Sequence, residues 1–246
     1  MARGFAVHLH AADPASEIPP AGLIPARAPR AVPYLYTAAE VSAYTAAEVS
    51  ALMAVTSSLA SPLRAATYRT LIGLLAATGM RVGEAIRLDR PDFGPATGVL
   101  TVRNTKFGKS RLVPLHPTTA TAVAGYLRLR DQLHPGPGDP AILISPAGTR
   151  LAYCNVHATW RLLVRRAGLA PRSPNCRPRP HDLRHSFAVA SLLDAYAAEQ
   201  DGDARLALLA TYLGHANPAA TYWYLSAAPE LLALAGQRLD DHQERP

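Results

Sequence analysis

Residues 99–115 read VLTVRNTKFGKSRLVPL. Two runs rich in Val, Leu and Thr, VLTVRNT (99–105) and SRLVPL (110–115), flank a KFG segment whose Gly108 suits a turn, and this predicts a β-hairpin. Everything around it has helical spacing. Upstream, LRAATYRTLIGLLAA (63–77) predicts a helix that Gly79 is placed to end, and RVGEAIRL (81–88) a second, short one. Downstream, helical patterns recur at about 117–132, 155–167, 181–198, 203–213, 218–225 and 229–238, most of them separated by Gly or Pro. The expected class is mainly α with a small antiparallel β-sheet (α+β), the sheet near the N-terminal third of the domain.

Before residue 34 the pattern changes. Pro14, Pro19, Pro20, Pro25, Pro29 and Pro33 crowd one stretch. Proline lacks an amide donor and blocks helix formation, so residues 13–33 read as a linker. The preceding RGFAVHLHAAD is too short for a domain and reads as a remnant helix. The expected organisation is residues 1–33 as remnant and linker, then one domain over 34–246. At the entry to that domain YTAAEVSA occurs twice in tandem, at 36–43 and 44–51. A step of eight residues advances a helix by two turns plus about 80°, so the two copies cannot show one core the same face. A duplication that lengthens the entry segment fits better than a repeat architecture.

Bulk properties narrow the function. Lys and Arg number 25 against 18 acidic residues, for a net charge of +7, and only two of those cations are lysines, Lys106 and Lys109. Excess positive charge favours a polyanionic partner, nucleic acid first. With 49% hydrophobic residues the chain can fill a sizeable core. No apolar run reaches the length of a membrane span, and the N-terminus does not fit a signal peptide, so a cytoplasmic location without membrane contact is expected. Two cysteines, Cys154 and Cys176, cannot build a disulfide framework or a four-cysteine zinc site.

Chemistry concentrates in three places. In PHDLRHSFA (180–188), His181 and Arg184 stand three apart and share a helix face. Imidazole exchanges protons near neutral pH and guanidinium grips phosphate oxygens as a planar fork, a pairing suited to phosphoryl transfer. A solvated helix face can carry the same HxxR spacing. In TGMRVGEAIRL (78–88), Arg81 follows a glycine-ended helix with Glu84 one turn on, placed to orient it; an ordinary surface pair has the same spacing. Two arginines can clamp the charge that spreads over non-bridging oxygens in the transition state. In LGHANPAATYWYL (213–225), Tyr224 lies nine positions after His215. A phenol with a pKa near 10 is a poor nucleophile unless a cationic, hydrogen-bonding site activates it. Ten tyrosines occur, so one alone can equally be structural.

Taken together, Arg81 in TGMRVGE, Lys106 in TKFGKSRLVPL, His181 and Arg184 in HDLRH, His215 in LGH and Tyr224 resemble the tyrosine recombinases, or phage integrase family, in order and interval. The resemblance spans roughly residues 34–240 and implies the catalytic-domain fold of that family. It implies that Tyr224 attacks a DNA phosphate to give a 3′-phosphotyrosyl link and a 5′-hydroxyl. Arg81 and Arg184 would hold the non-bridging oxygens, Lys106 protonate the leaving oxygen, His181 assist proton transfer and His215 hydrogen-bond the phosphate. Glu84 and His185 would support the site, and Lys109 and Arg111 would contact DNA. Neither a metal nor a nucleotide cofactor is implied. The family interval favours Tyr224 over Tyr212 and Tyr222.

The same resemblance implies double-stranded DNA as partner and association with further recombinase subunits. Family members carry an N-terminal helical domain that clamps DNA, and here it reads as missing or reduced to its last helix. The long segment between HDLRH and LGH, with TYWYLSAAPELLALA, is similar to the mobile-element branch. Two neighbouring readings use the same residues: a type IB topoisomerase, and a truncated remnant that binds DNA or pairs with intact subunits.

Overall fold

The computed structural model describes residues 7, 10–17, 38–103, 108, 110–135, 138–170, 178–198 and 201–214, with side chains of the first long helix from residue 47. The chain forms two units, Met1–Val32 and Pro33–Pro246. In the first, Asp13 turns the chain by accepting the Ala15 amide at 3.1 Å. The proline-rich linker, for the most part, and the expected helices at 218–225 and 229–238 lie outside the described residues.

The first described element of the second unit is α1 (Ala38–Val55), a single helix that runs from the third residue of the first octapeptide copy through the second. Helix α2 (Pro62–Thr78) follows. Ser61 caps its start by accepting the Arg64 amide, Pro62 occupies a position where no amide bond is lost, and Gly79 at φ 60° closes its end. Next come α3 (Val82–Arg87) and a sheet of β1 (Phe93–Gly94), β2 (Val99–Val102) and β3 (Arg111–Pro114). Four helices complete the described fold: α4 (Pro117–Leu133), α5 (Tyr153–Arg166), α6 (Asp182–Ala197) and α7 (Gly202–Leu213).

The predicted hairpin is present, with Leu100 opposite Val113 and Val102 opposite Arg111. The sheet has a third strand that the hairpin reading did not include. Phe93 and Gly94 pair with Leu100 and Val99, but the segment DFGPATG reads as a turn because glycine and proline crowd it. Alternation along β3 puts Arg111 and Val113 on the inner face and leaves Leu112 67% exposed.

Apolar faces of α2, α4 and α5 meet the sheet in one core that includes Leu71, Leu75, Leu100, Val113, Val123 and Leu163. Each such side chain contributes roughly 1.5–3 kcal/mol by leaving water. A second cluster joins α6 to α7 through Val189, Leu192, Leu206 and Leu213. The run Ala141–Ile144 is buried without belonging to a helix or sheet. Its backbone is answered by side chains: Arg130 donates to the carbonyl of Ala141, and Thr67 donates to that of Ile144 at 3.0 Å.

Candidate active site

The turn after α2 sets the position of the first arginine. Gly79 adopts a left-handed conformation there, and a Cβ on it would come within 2.5 Å of Phe187 Cδ1 and 3.2 Å of Leu213 Cδ2. Only glycine lets this turn pack that closely on α6 and α7. Met80 is buried, and Arg81 starts α3 with its side chain 31% exposed.

Glu84 lies beneath Arg81. Its Oε2 accepts the Arg81 amide at 3.0 Å and Arg111 Nη2 at 2.8 Å, while its Oε1 accepts Arg81 Nη1 at 2.8 Å and Arg111 Nη1 at 3.2 Å. Four donors thus meet the acceptor capacity of one carboxylate. Burial alone would push this carboxyl up. Hydrogen bonds from Arg111 and from the Arg81 amide, with the attraction of the Arg111 charge, outweigh it and lower the pKa from 4.5 to about 2. The charge-assisted hydrogen bond that the Arg81–Glu84 spacing allows is present. Arg111 points its guanidinium inward onto Glu84 and is 13% exposed.

Helix α6 brings the HxxR pair. Its entry is tied down by Trp160, whose indole donates to the Pro178 carbonyl at 3.1 Å, and by Asp182, which accepts the Arg179 amide at 2.7 Å. Burial pushes the Asp182 carboxyl up against the opposing pull of Arg179. Arg184 is 2% exposed and donates Nη1 to the Gly79 carbonyl at 2.9 Å and Nη2 to that of Leu213 at 2.7 Å. One side chain therefore ties the end of α2 and the end of α7 to α6. His185 is buried, its ring edge-on to His181 with centroids 4.9 Å apart.

At the end of α7, Gly214 has φ 67°, and a Cβ there would lie 3.3 Å from Arg111 Nη1. The LG of the LGH motif is thereby placed beside the Glu84–Arg111 pair. Lys106, Lys109, His215 and Tyr224 lie outside the described residues. Tyr212 stacks on Phe187 at 5.6 Å between centroids. Burial raises its phenol pKa, against the opposing charges of Arg111 and Arg184. It is a packing residue at the junction of α6 and α7.

Arg81 and His181 share one cleft of about 340 Å³, whose walls also include Glu84, Arg87, Tyr153 and His157. The sequence reading missed Arg87 and His157. A faint signal existed for the latter: Tyr153 and His157 stand one helical turn apart at the exposed start of α5.

A model described as the phage integrase family matches residues 43–230. The chain belongs to the phage integrase family. Among relatives, the Sinorhizobium fredii protein y4rB, an integrase/recombinase by name, is 42% identical over 243 residues, covering 98% of this chain and 76% of y4rB. Among solved structures, XerA recombinase aligns with a TM-score of 0.59 at 26% identity, over 81% of this chain and 64% of that one. A lambda integrase tetramer bound to a Holliday junction aligns at 0.60 over 91% of this chain and 56% of that one; at 18% identity this likeness concerns the fold. The mainly helical domain with its three-stranded antiparallel sheet is thus the integrase-family catalytic fold. The chain spans less than two thirds of either structural neighbour. No helix among the described residues is long and apolar enough to cross a membrane.

Proposed function

We propose that this chain carries the catalytic domain of a site-specific DNA recombinase that breaks and rejoins DNA through a 3′-phosphotyrosyl intermediate. The observation behind this is the convergence of Arg81 and His181 on one cleft, in a chain of the phage integrase family.

In this reading the Tyr224 hydroxyl attacks phosphorus. A bond forms from its oxygen to phosphorus as the bond to the 5′ oxygen breaks. His181 assists removal of the phenolic proton, and Lys106 gives a proton to the departing 5′ oxygen. Arg81 and His215 donate to the non-bridging oxygens, where charge accumulates. Arg184 is the second arginine of the clamp on those oxygens. The covalent link stores the phosphodiester energy, so rejoining needs no nucleotide cofactor, and fixed cations supply the electrostatic work a metal does elsewhere. Lys109 contacts the DNA backbone. His185 supports the site. Double-stranded DNA is the substrate, with further recombinase subunits assembled on it, in the setting of a mobile element. A proline-rich linker within residues 13–33 precedes the catalytic domain.

A pool of nicked duplexes of random sequence tests the reading, because a nick beside the cut site lets the leaving strand diffuse away and traps the covalent adduct. The wild-type chain should give an adduct resistant to denaturation, and Tyr224→Phe should give none. An adduct that persists in Tyr224→Phe reassigns the nucleophile. A folded, DNA-binding chain that forms no adduct anywhere in the pool overturns the recombinase reading.

A further inference from the structure

Arg87 is the last residue of α3, one turn after Gly83 and six positions after Arg81. Its side chain does not extend away from the domain. It folds back along the helix, so that a Cβ on Gly83 would stand 3.3 Å from Arg87 Nη1. There it lines the cleft that holds Arg81 and His181. Among the described residues no carboxylate pairs with it. The one acid in the cleft wall, Glu84, already receives four hydrogen bonds from Arg81 and Arg111. Two guanidinium groups thus share a small cleft in which the described residues offer the second no counter-charge. Like charges held together in this way favour an anionic ligand.

His157 adds an independent observation. It lines the same cleft from α5, stacked at a tilt against Tyr153 with centroids 4.6 Å apart. Its Nε2 is buried and has no hydrogen-bond partner among the described residues. Buried polar atoms are nearly always satisfied, so an orphan nitrogen beside a cationic cleft calls for a ligand atom. A half-turn of the imidazole about Cβ–Cγ exchanges its nitrogens with ring carbons, so the ring can present a nitrogen to the cleft without moving the helix.

We infer that the cleft takes two consecutive backbone phosphates of one DNA strand. Arg81 and His181 address the phosphate to be cut, and Arg87 with His157 addresses its neighbour. This rests on the recombinase reading for the identity of the polyanion and deepens it by naming two further substrate-binding residues. Holding the adjacent phosphate fixes the direction of the strand through the cleft, which a single tetrahedral anion cannot do. Arg87 is suited to this role because its planar fork can take two oxygens of one phosphate. Gly83 is suited as its support, because any larger residue would push that fork away.

The test uses the full chain and two short DNA probes, the thymidine dinucleotides TpT, with one backbone phosphate, and pTpT, with two consecutive ones, followed by nitrogen-resolved NMR of the arginine and histidine side chains. The doubly phosphorylated probe should shift the signals of Arg81, His181, Arg87 and His157 together. Arg87→Gln and His157→Gln should each weaken pTpT about tenfold, the worth of one charge-assisted hydrogen bond, and weaken TpT clearly less. Arg87 is exposed and has no ion-pair partner among the described residues, so its variant keeps the fold, and the unliganded spectrum verifies this. If pTpT moves only Arg81 and His181, the second phosphate position is wrong while the reading of the cut site survives. If neither probe moves any of the four, the cleft is not an anion site and the inference fails. If pTpT binds as described but no phosphotyrosyl adduct forms with any duplex, the two-phosphate site stands and the recombinase reading falls.

Discussion

Glu84 and Arg111, 27 positions apart in sequence, face each other through two hydrogen bonds of 3.2 and 2.8 Å, both groups largely shielded from water. The pair joins the first turn of α3 to the inner face of β3, and through it Arg81 is held to the same carboxylate. It also lies against the turn at Gly214, so three separate segments of the site meet around one anion.

Removing that anion is costly. Glu84→Gln leaves the Arg111 guanidinium buried without a counter-charge, and breaking a buried pair from one side costs about 3–5 kcal/mol. Urea denaturation should show a loss in this range. An effect under about 1 kcal/mol would mean that the pair is no more than a surface contact. The double variant Glu84→Gln with Arg111→Leu should recover part of the loss, since it removes the stranded charge.

The same pair makes stability depend on acidity. The Glu84 carboxyl titrates at about 2 in the folded chain against an ordinary 4.5. A depressed native pKa gives stability that is complete above the unfolded value and is lost as pH falls towards the native one. The difference in unfolding free energy between wild type and Glu84→Gln should therefore be largest above pH 4.5 and shrink by roughly 3 kcal/mol on the way to pH 2. Asp182 acts in the opposite sense, because burial raises its pKa and protonation relieves it. A difference independent of pH across that window would refute the assignment.

Arg184 should prove structural as well as chemical. It spans the carbonyls of Gly79 and Leu213 from the interior. Arg184→Ala loses both bonds and leaves two carbonyls short of a donor, a cost on the order of 3 kcal/mol. Lysine keeps the charge but cannot span two carbonyls with a planar fork, so Arg184→Lys should recover part of the stability. Thermal denaturation of the three chains decides it, and an Arg184→Ala protein as stable as wild type would sink this account.

Gly79 admits no side chain for two separable reasons. Its φ of 60° strains any other residue, and an added Cβ would meet the Phe187 ring at 2.5 Å. Gly79→Ala should lose about 2–4 kcal/mol, the backbone part being about 1–2. Combining it with Phe187→Ala should cost less than the sum of the two single changes, since the clash disappears. Strict additivity would show that the close contact does not exist.

Much of this was legible from local patterns. Helical spacing located α2 and α4 to within about a residue at each end, and period-2 alternation with Gly108 located the hairpin. The third strand escaped because Phe93–Gly94 is two residues long and lies among turn formers. The segment SRLVPL does not by itself say which of Arg111 and Leu112 turns inward. The register resolves it: Arg111 shares a face with Val113, and Leu112 takes the solvent. His157 and Arg87 had no local signal strong enough to separate them from other helix-face cations.

By itself the chain sequence determined which segments become helices and strands and which polar residues stand out by interval, because these depend on neighbours a few positions away. Only the tertiary structure decided where charge ends up. Whether an arginine meets a carboxylate, two carbonyls or an open cleft depends on which faces of distant elements come together, and in a low-dielectric interior that meeting sets both pKa and cost. Hence the inward turn of Arg111, the bracing by Arg184 and the place of Arg87 in the cleft are properties of the fold rather than of any motif.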